Sequence, residues 1–174
     1  MKTADTRFGL ILSYLVAIST VIGIPAGLYG YFASQHDKRV ETTFEFYKQF
    51  RADAFQQDWT LLITRWNANA ADAQGRVAQG DMQGLQNLVV SLVSDDKGSA
   101  AMERVLSFFD ELSACVENAL CDHNAAYGLL KDQAEQMADA YGPYIVFIRD
   151  KYKNVNYGSG LIKARALTKE FDPL

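Results

Sequence analysis

The sequence predicts an all-α protein, with one N-terminal transmembrane helix followed by a small helical bundle. The first observation is that every residue from Phe8 to Gln35 is uncharged, in a chain of 174 residues. The second is that apolar residues beyond this run recur at the three- and four-residue steps of amphipathic helices, without the strict alternation typical of strands. Apolar residues make up 49% of the chain, which excludes a disordered protein.

The transmembrane helix, called the anchor below, is predicted from the length of the uncharged run. Phe8–Phe32 contains 25 uncharged residues, and at about 1.5 Å per residue this exceeds the roughly 30 Å hydrocarbon core of a bilayer. A cleavable secretory signal is the alternative, because Lys2 and Arg7 precede the apolar run. The run is long for a signal, and bulky aromatic residues precede the small residues near Ala33, so we expect the anchor to be retained.

Small residues gather on one side of this predicted helix. At about 100° per residue they fall within an arc of roughly 120°, and Gly23 and Gly27 form a GxxxG spacing. Close backbone approach over small residues drives helix association in lipid, so we expect this face to pack against an integral membrane protein or complex. The alternative is that glycine is simply frequent in membrane helices. The predicted packing face consists of Gly9, Ser13, Ala17, Thr20, Gly23 and Gly27.

The orientation of the anchor is predicted from Lys and Arg alone. Two such residues precede the span, and four follow it within about 20 residues, which favours a cytoplasmic C-terminal domain in a single-pass membrane protein. The nearest ten residues hold two on each side, so the opposite orientation stays open.

Three helices are predicted directly after the anchor. From Val40, aromatic residues including Phe44 recur at helical spacing and predict a stalk helix. A second helix follows Asp58 as its N-cap and ends near Gly80. Asp81 then opens a short helix, which ends at the loop Ser94–Ser99.

Two further helices complete the predicted bundle. One runs from Met102 to Leu120, and the other begins near Asn124, with Pro143 expected to kink or restart it. The closing segment predicts a flexible tail, or a helix ordered only against a partner or a membrane surface. The predicted organisation is a tail at residues 1–7, a transmembrane helix at 8–35, a helical bundle at 36–153 and the closing tail at 154–174.

Charge argues against a nucleic-acid partner. Residues 36–174 carry 15 Lys or Arg and 20 Asp or Glu, so the domain beyond the anchor is acidic. Nucleic-acid binding depends on a basic surface, which this balance does not favour. The expected partners are therefore the lipid bilayer and a membrane protein.

The residues best suited to chemistry are two cysteines and a histidine. Cys115, Cys121 and His123 follow a C-x5-C-x-H pattern, which lacks the short spacing of zinc cysteines. A disulfide would require the helix to end near Leu120, because six helical residues separate the two Cα atoms by about 9 Å. Two small buried hydrophobes are the preferred interpretation. No metal site, cofactor or catalytic residue is predicted.

Other eye-catching side chains have structural interpretations. Trp59 and Trp66 lie seven residues apart, on one helix face, and are expected to pack in the core rather than form an aromatic platform. Asp110, Glu111 and Glu117 are expected to form a solvated face. His36 is expected to be an interfacial side chain at the membrane exit.

Three short segments carry a family resemblance: Val105–Leu112 (VLSFFDEL), Ala119–Asp122 (ALCD) and Tyr141–Ile145 (YGPYI) followed by Arg149. They resemble a widespread bacterial family of small single-span membrane proteins with an all-helical domain of unknown function. The resemblance covers residues 100–152 well and residues 8–66 in outline. Cys121 stands where such proteins look aliphatic, which favours a core role for it. The resemblance implies an all-helical domain held at the membrane and transfers no catalytic residue.

Together these features predict a non-catalytic accessory or scaffolding subunit that docks to a larger membrane protein assembly. The alternative is a membrane-tethered binding or sensing module, whose helical domain recruits a soluble partner. A third possibility, an enzyme, rests only on Cys115, Cys121 and His123.

Overall fold

The computed structural model describes residue 29 and residues 31–170, and it confirms the all-α prediction for this part of the chain. The predicted packing face from Gly9 to Gly27 lies outside the described residues, as does most of the predicted transmembrane helix. Among the residues described, no helix is both long and apolar enough to cross a bilayer. The helices are α1 (residues 31–51), α2 (Asp53–Ala78), α3 (Met82–Leu92), α4 (Asp96–Glu117), α5 (His123–Tyr152) and α6 (Ser159–Glu170).

The chain divides after Arg39 into two compact units. In the first, the described residues are helical and expose the rings of Tyr29, Tyr31 and Phe32. The second unit begins at Val40 and contains the bundle. Its sequence-predicted start at residue 36 therefore differs from this division by a few residues.

The first break in the bundle lies at Ala52, where the backbone turns extended with φ −65° and ψ 141°. No side chain caps α2, and the apolar period continues across the break. The prediction that Asp58 is the N-cap of this helix is wrong for that reason. Asp58 lies inside α2, and its carboxylate accepts a 2.6 Å hydrogen bond from Arg104 Nη2 of α4.

The connection from α2 to α3 follows the prediction. Gly80 adopts a left-handed φ of 72°, and the Asp81 amide donates back to the Arg76 carbonyl at 2.9 Å, closing a Schellman motif. The Asp81 carboxylate then accepts from the Gly84 amide at 2.8 Å and caps α3. The end of α2 was predicted from the glycine, and the start of α3 was predicted from the aspartate.

The predicted loop Ser94–Ser99 is shorter in the structure, because Asp95 caps α4 by accepting from the Gly98 amide at 2.7 Å. Arg65 of α2 donates to both oxygens of the same carboxylate, from Nη1 at 2.7 Å and from Nη2 at 2.8 Å. Its Nη1 also donates to the Leu92 carbonyl, at 2.7 Å. The Arg65 hydrogen bond, helped by the Gly98 amide, holds the pKa of Asp95 at about 2.

Pro143 does not end or restart the last long helix, and α5 runs through it. Tyr141, Tyr144 and Ile145 are buried on either side of the proline, and the Tyr141 hydroxyl donates to the Leu62 carbonyl at 2.7 Å. Burial raises the pKa of Tyr141, so the hydroxyl stays a donor. Packing on α2 therefore offsets the backbone hydrogen bond that the proline removes.

An aromatic cluster occupies the core where α1, α2 and α4 meet. Neighbouring rings have centroids 4.9 to 5.9 Å apart and tilted or edge-on geometry. Trp59 belongs to this cluster, and the half-buried Trp66 packs near Tyr141, so the prediction of core packing is confirmed for both tryptophans. The cluster consists of Phe50, Phe55, Trp59 and Phe108.

The closing segment differs from the predicted tail, because Ser159–Glu170 form a helix on the bundle itself. Leu161 is fully buried in the same core as α4 and α5. Ion pairs at 2.6 Å join Lys163 to Glu117 of α4 and Arg165 to Asp139 of α5. The ordering partner of this segment is thus the rest of the chain.

Candidate functional site at the α4–α5 corner

Cys115 and Cys121 form a disulfide at the α4–α5 corner, which comprises residues 115–123. The preferred prediction of two separate buried thiols is therefore wrong. The sequence analysis allows a bridge only if the helix ends near Leu120, and in the structure α4 ends at Glu117 and the chain turns back. This reversal brings the two Cα atoms to 5.2 Å, within the range of a bridge.

The turn that makes the bridge possible is a Schellman motif with alanine in the usual glycine position. Ala119 has a left-handed φ of 54°, and the Leu120 amide donates to the Cys115 carbonyl at 2.9 Å. An L-residue other than glycine in this region costs about 1–2 kcal/mol. Because no glycine marks this turn, the predicted helix end at Leu120 lies three residues beyond the observed end at Glu117.

The residue after the bridge fastens the corner to α1. The Asp122 amide donates to Thr43 Oγ1 at 2.9 Å, and the Asp122 carboxylate caps α5 by accepting from the Ala125 amide at 2.8 Å. Thr43 is completely buried. One three-residue stretch, from Leu120 to Asp122, thus sets the end of α4, the start of α5 and the position of α1.

Thr43 was missed as a candidate because the aromatic pattern placed Phe44 on the buried face. In the structure Phe44 is 45% exposed, and Thr43 points inward instead. Thr43 is in phase with Tyr47 and Phe50, four and seven residues further on, and Phe50 is buried. A threonine in phase with an apolar stripe was the available signal.

A small apolar crevice opens beside the corner, between α4, α5 and α6. Its volume is about 30 Å³, room for a group the size of one water molecule. His123, the first residue of α5, lies on its wall, and Lys131 Nζ lies 5.1 Å from the centre of the Tyr127 ring. The other lining residues include Phe109, Leu112, Val116, Ala126 and Leu130.

The zinc alternative built on Cys115, Cys121 and His123 is not formed, because the two sulfurs are bonded to each other. Over the described residues, no group of three or more histidine, cysteine or acidic side chains is placed to hold a metal ion. The covalent chemistry that the corner does offer is thiol–disulfide exchange.

The carboxylates of α4 are more than a solvated face. Asp110 is partly buried and accepts from the Gly160 amide of α6, at 2.5 Å. Glu111 and Glu117 are exposed and so follow the prediction. Glu117 forms a surface ion pair with Lys163 of α6, and Glu111 accepts a local 3.2 Å hydrogen bond from Ser107.

Two of the segments that carry the family resemblance, Val105–Leu112 and Tyr141–Ile145 with Arg149, meet around α6 and the turn before it. Asp110 caps α6, and Arg149 Nε donates to the Tyr157 carbonyl at 2.8 Å. Tyr157 in turn donates to Glu103 at 2.7 Å, and its burial followed by this hydrogen bond raises its pKa. These polar residues hold the last helix closed on the bundle.

Comparison with protein families gives a match over residues 17–161 to the model described as a domain of unknown function, DUF4760. Comparison with curated proteins gives no significant match, and neither does comparison with solved structures.

Proposed function

The chain belongs to the DUF4760 family, and on this premise we propose that it is a non-catalytic, membrane-anchored accessory or scaffolding subunit of a larger membrane protein assembly. The observation that carries the proposal is the uncharged run Phe8–Gln35 immediately before the bundle. A helix over this run is long enough to span a bilayer, and its small residues from Gly9 to Gly27 give a neighbouring helix close access.

The bundle supports this role as a rigid body. Arg65 of α2 pairs with Asp95 at the start of α4, and Arg104 in the middle of α4 pairs with Asp58 of α2. Lys163 of α6 pairs with Glu117 at the end of α4. In the part of the chain that is described, every buried side-chain nitrogen or oxygen has a hydrogen-bond partner. A fully satisfied interior is expected of a domain that presents a fixed surface.

Co-purification tests the docking role. The tagged full-length chain, extracted in mild detergent, is expected to bring down stoichiometric membrane protein partners. Replacing Gly23 and Gly27 by leucine should abolish recovery, because the added side chains separate the two backbones. The control is Ile18→Ala with Ile22→Ala, on the opposite side of the same predicted helix, which should leave recovery intact. Equal recovery with both variants would remove the basis of the proposal.

The second candidate is a tethered binding or sensing module whose bundle recruits a soluble partner. The apolar crevice beside His123 and the exchangeable disulfide favour this candidate. Exchanging residues 8–32 for an unrelated membrane span separates the two proposals. Partner recovery is lost if the anchor docks, and is kept if the bundle recruits.

We propose further that the bundle faces an oxidising compartment, on the opposite side from the one the Lys and Arg count favours. Disulfides persist in oxidising spaces and are rare in the cytosol. The count was even over the nearest ten residues, so the Cys115–Cys121 bridge is the stronger guide. Acid-trapped cells, alkylated before lysis, should yield a fully bridged chain. A chain with two alkylated thiols would place the bundle in the cytoplasm.

A further inference from the structure

The bridge, the turn and α1 form one connected unit at the α4–α5 corner. Cys121 is bonded to Cys115, and its amide also donates to the Cys115 carbonyl at 3.1 Å. The next amide, that of Asp122, is the one that reaches Thr43 of α1. The disulfide therefore fixes the position of the donor that holds α1.

The part of α1 that belongs to the bundle unit, residues 40–51, contacts the bundle at two levels along the helix. Residues 40–45 are called its upper half and residues 46–51 its lower half. The lower half packs by Phe46 and Phe50 against Phe108 of α4, with ring centroids 6.0 and 5.9 Å apart. The upper half is attached at Thr43, seven residues before Phe50 and thus about two helical turns away. Loss of the Thr43 attachment would leave the aromatic attachment in place.

We propose that the Cys115–Cys121 disulfide is a redox-sensitive latch for the upper half of α1. In the oxidised chain the bridge holds Asp122 against Thr43. In the reduced chain the corner relaxes, because Ala119 is no longer held in the left-handed region, and the upper half of α1 is released. The inference rests on the proposed location of the bundle in an oxidising space.

The reductant is a dithiol, and the exchange balances. One thiolate of the dithiol attacks the Sγ of Cys115, the more exposed of the two residues, and the Cys121 thiolate leaves and takes up a proton. The second thiol of the reductant then displaces Cys115, which is protonated in turn. The dithiol becomes a disulfide, and two electrons and two protons pass to the chain. Residues 117–120, which lie between the two cysteines in sequence, are exposed. Local opening of this short turn gives the dithiol access to the disulfide.

Hydrogen exchange on the full chain in detergent micelles tests the latch, with and without dithiothreitol. Reduction should raise amide exchange in residues 40–48 by about tenfold, the effect of losing one hydrogen bond at a buried site. Exchange in α3, residues 82–92, should stay the same. Thr43→Val keeps the shape of the side chain but removes the acceptor, so its upper α1 should exchange fast already in the oxidised state and respond little to reduction.

A Cys115→Ser, Cys121→Ser double variant should behave like the reduced chain and ignore the dithiol. Unchanged exchange in residues 40–48 on reduction would overturn the latch. An equal rise in exchange across all helices would also overturn it, because the disulfide would then stabilise the whole fold and not α1 in particular. Alkylation in cells reports separately on location. Finding free thiols there overturns the proposed sidedness, while the exchange measurement still decides the latch.

Discussion

Gly160 on α6 lies directly against Asp110 on α4, closer than any other residue type would permit. A Cβ atom at Gly160 would come within 2.3 Å of the Phe109 carbonyl oxygen and 2.5 Å of the Asp110 Cα. The same approach lets the Gly160 amide donate to the Asp110 carboxylate, which caps α6 from a neighbouring helix. The glycine therefore allows the two helices to approach closely, and the aspartate caps α6.

Gly160→Ala should destabilise the protein by about 1–3 kcal/mol, because backbone atoms of α4 cannot move aside for the added methyl group. Thermal unfolding checks the size of the effect, and limited proteolysis after residue 153 should show α6 released first. The matched control is Gly128→Ala in α5, where a Cβ meets nothing within 4 Å. That change should stabilise by up to about 1 kcal/mol. Similar melting temperatures for the two variants would contradict the close approach.

The packing of α6 on the bundle could not be predicted from the sequence. The closing segment, which contains Gly158 and Gly160, predicts a flexible tail or a helix ordered only against a partner or a membrane surface. Only the structure shows that Gly160 meets the backbone of α4, because such a contact depends on how two helices pack and leaves no periodic pattern. Local signals succeeded where the chemistry is local, as at Asp81, whose carboxylate caps the helix that it precedes.

The candidate site was harder to predict for the same reason. Thr43 and Asp122 are 79 residues apart, and nothing in either segment indicates the other. The end of α4 was predicted three residues too late, because Ala119 takes the position that glycine usually fills. The two cysteines were recognised as chemically interesting, yet their pairing depended on that unseen turn.

The ionisation of Asp95 should make the free energy of unfolding depend on pH in the acidic range. Its pKa is held at about 2, chiefly by the hydrogen bond from Arg65, against an ordinary value of 3.8. A depressed carboxyl pKa stabilises the fold above the unfolded value, so this contribution is present at neutral pH and is lost as the pH falls from about 4 to 2. Urea unfolding from pH 7 to pH 2 measures it.

The control for that titration is Asp95→Asn, which can still cap α4 but carries no charge to pair with Arg65. Wild type should be the more stable of the two at pH 7, and the difference between them should shrink below pH 4. Because other carboxyl groups titrate in both proteins, the difference isolates Asp95. A difference that stays constant down to pH 2 would rule out the ion pair as the cause.

Tyr141→Phe should cost about 0.5–1.5 kcal/mol, the net value of one buried hydrogen bond. The hydroxyl donates to the Leu62 carbonyl at 2.7 Å, and the ring is fully buried beside Pro143. Chemical denaturation gives the value directly. Tyr152→Phe is the control on the same helix, since that side chain is 64% exposed, and its effect should stay within about 0.5 kcal/mol. Equal effects would show that the hydroxyl of Tyr141 does not support α5.

Ala119→Gly should stabilise the protein by about 1 kcal/mol, because glycine adopts the left-handed conformation without the penalty that alanine carries. Gly80 is the matched site for the reverse substitution, because it occupies the same position of the Schellman motif after α2, with a φ of 72°. Gly80→Ala should therefore destabilise by a similar amount, and a Cβ there meets no other atom within 4 Å, so conformation is the sole cause. Thermal melts of both variants in the oxidised state compare the two turns. If the bridge imposes the left-handed conformation of Ala119, its glycine variant should gain stability in the oxidised chain and little after reduction. An equal gain in both states would contradict the inference that the bridge holds Ala119 in this conformation.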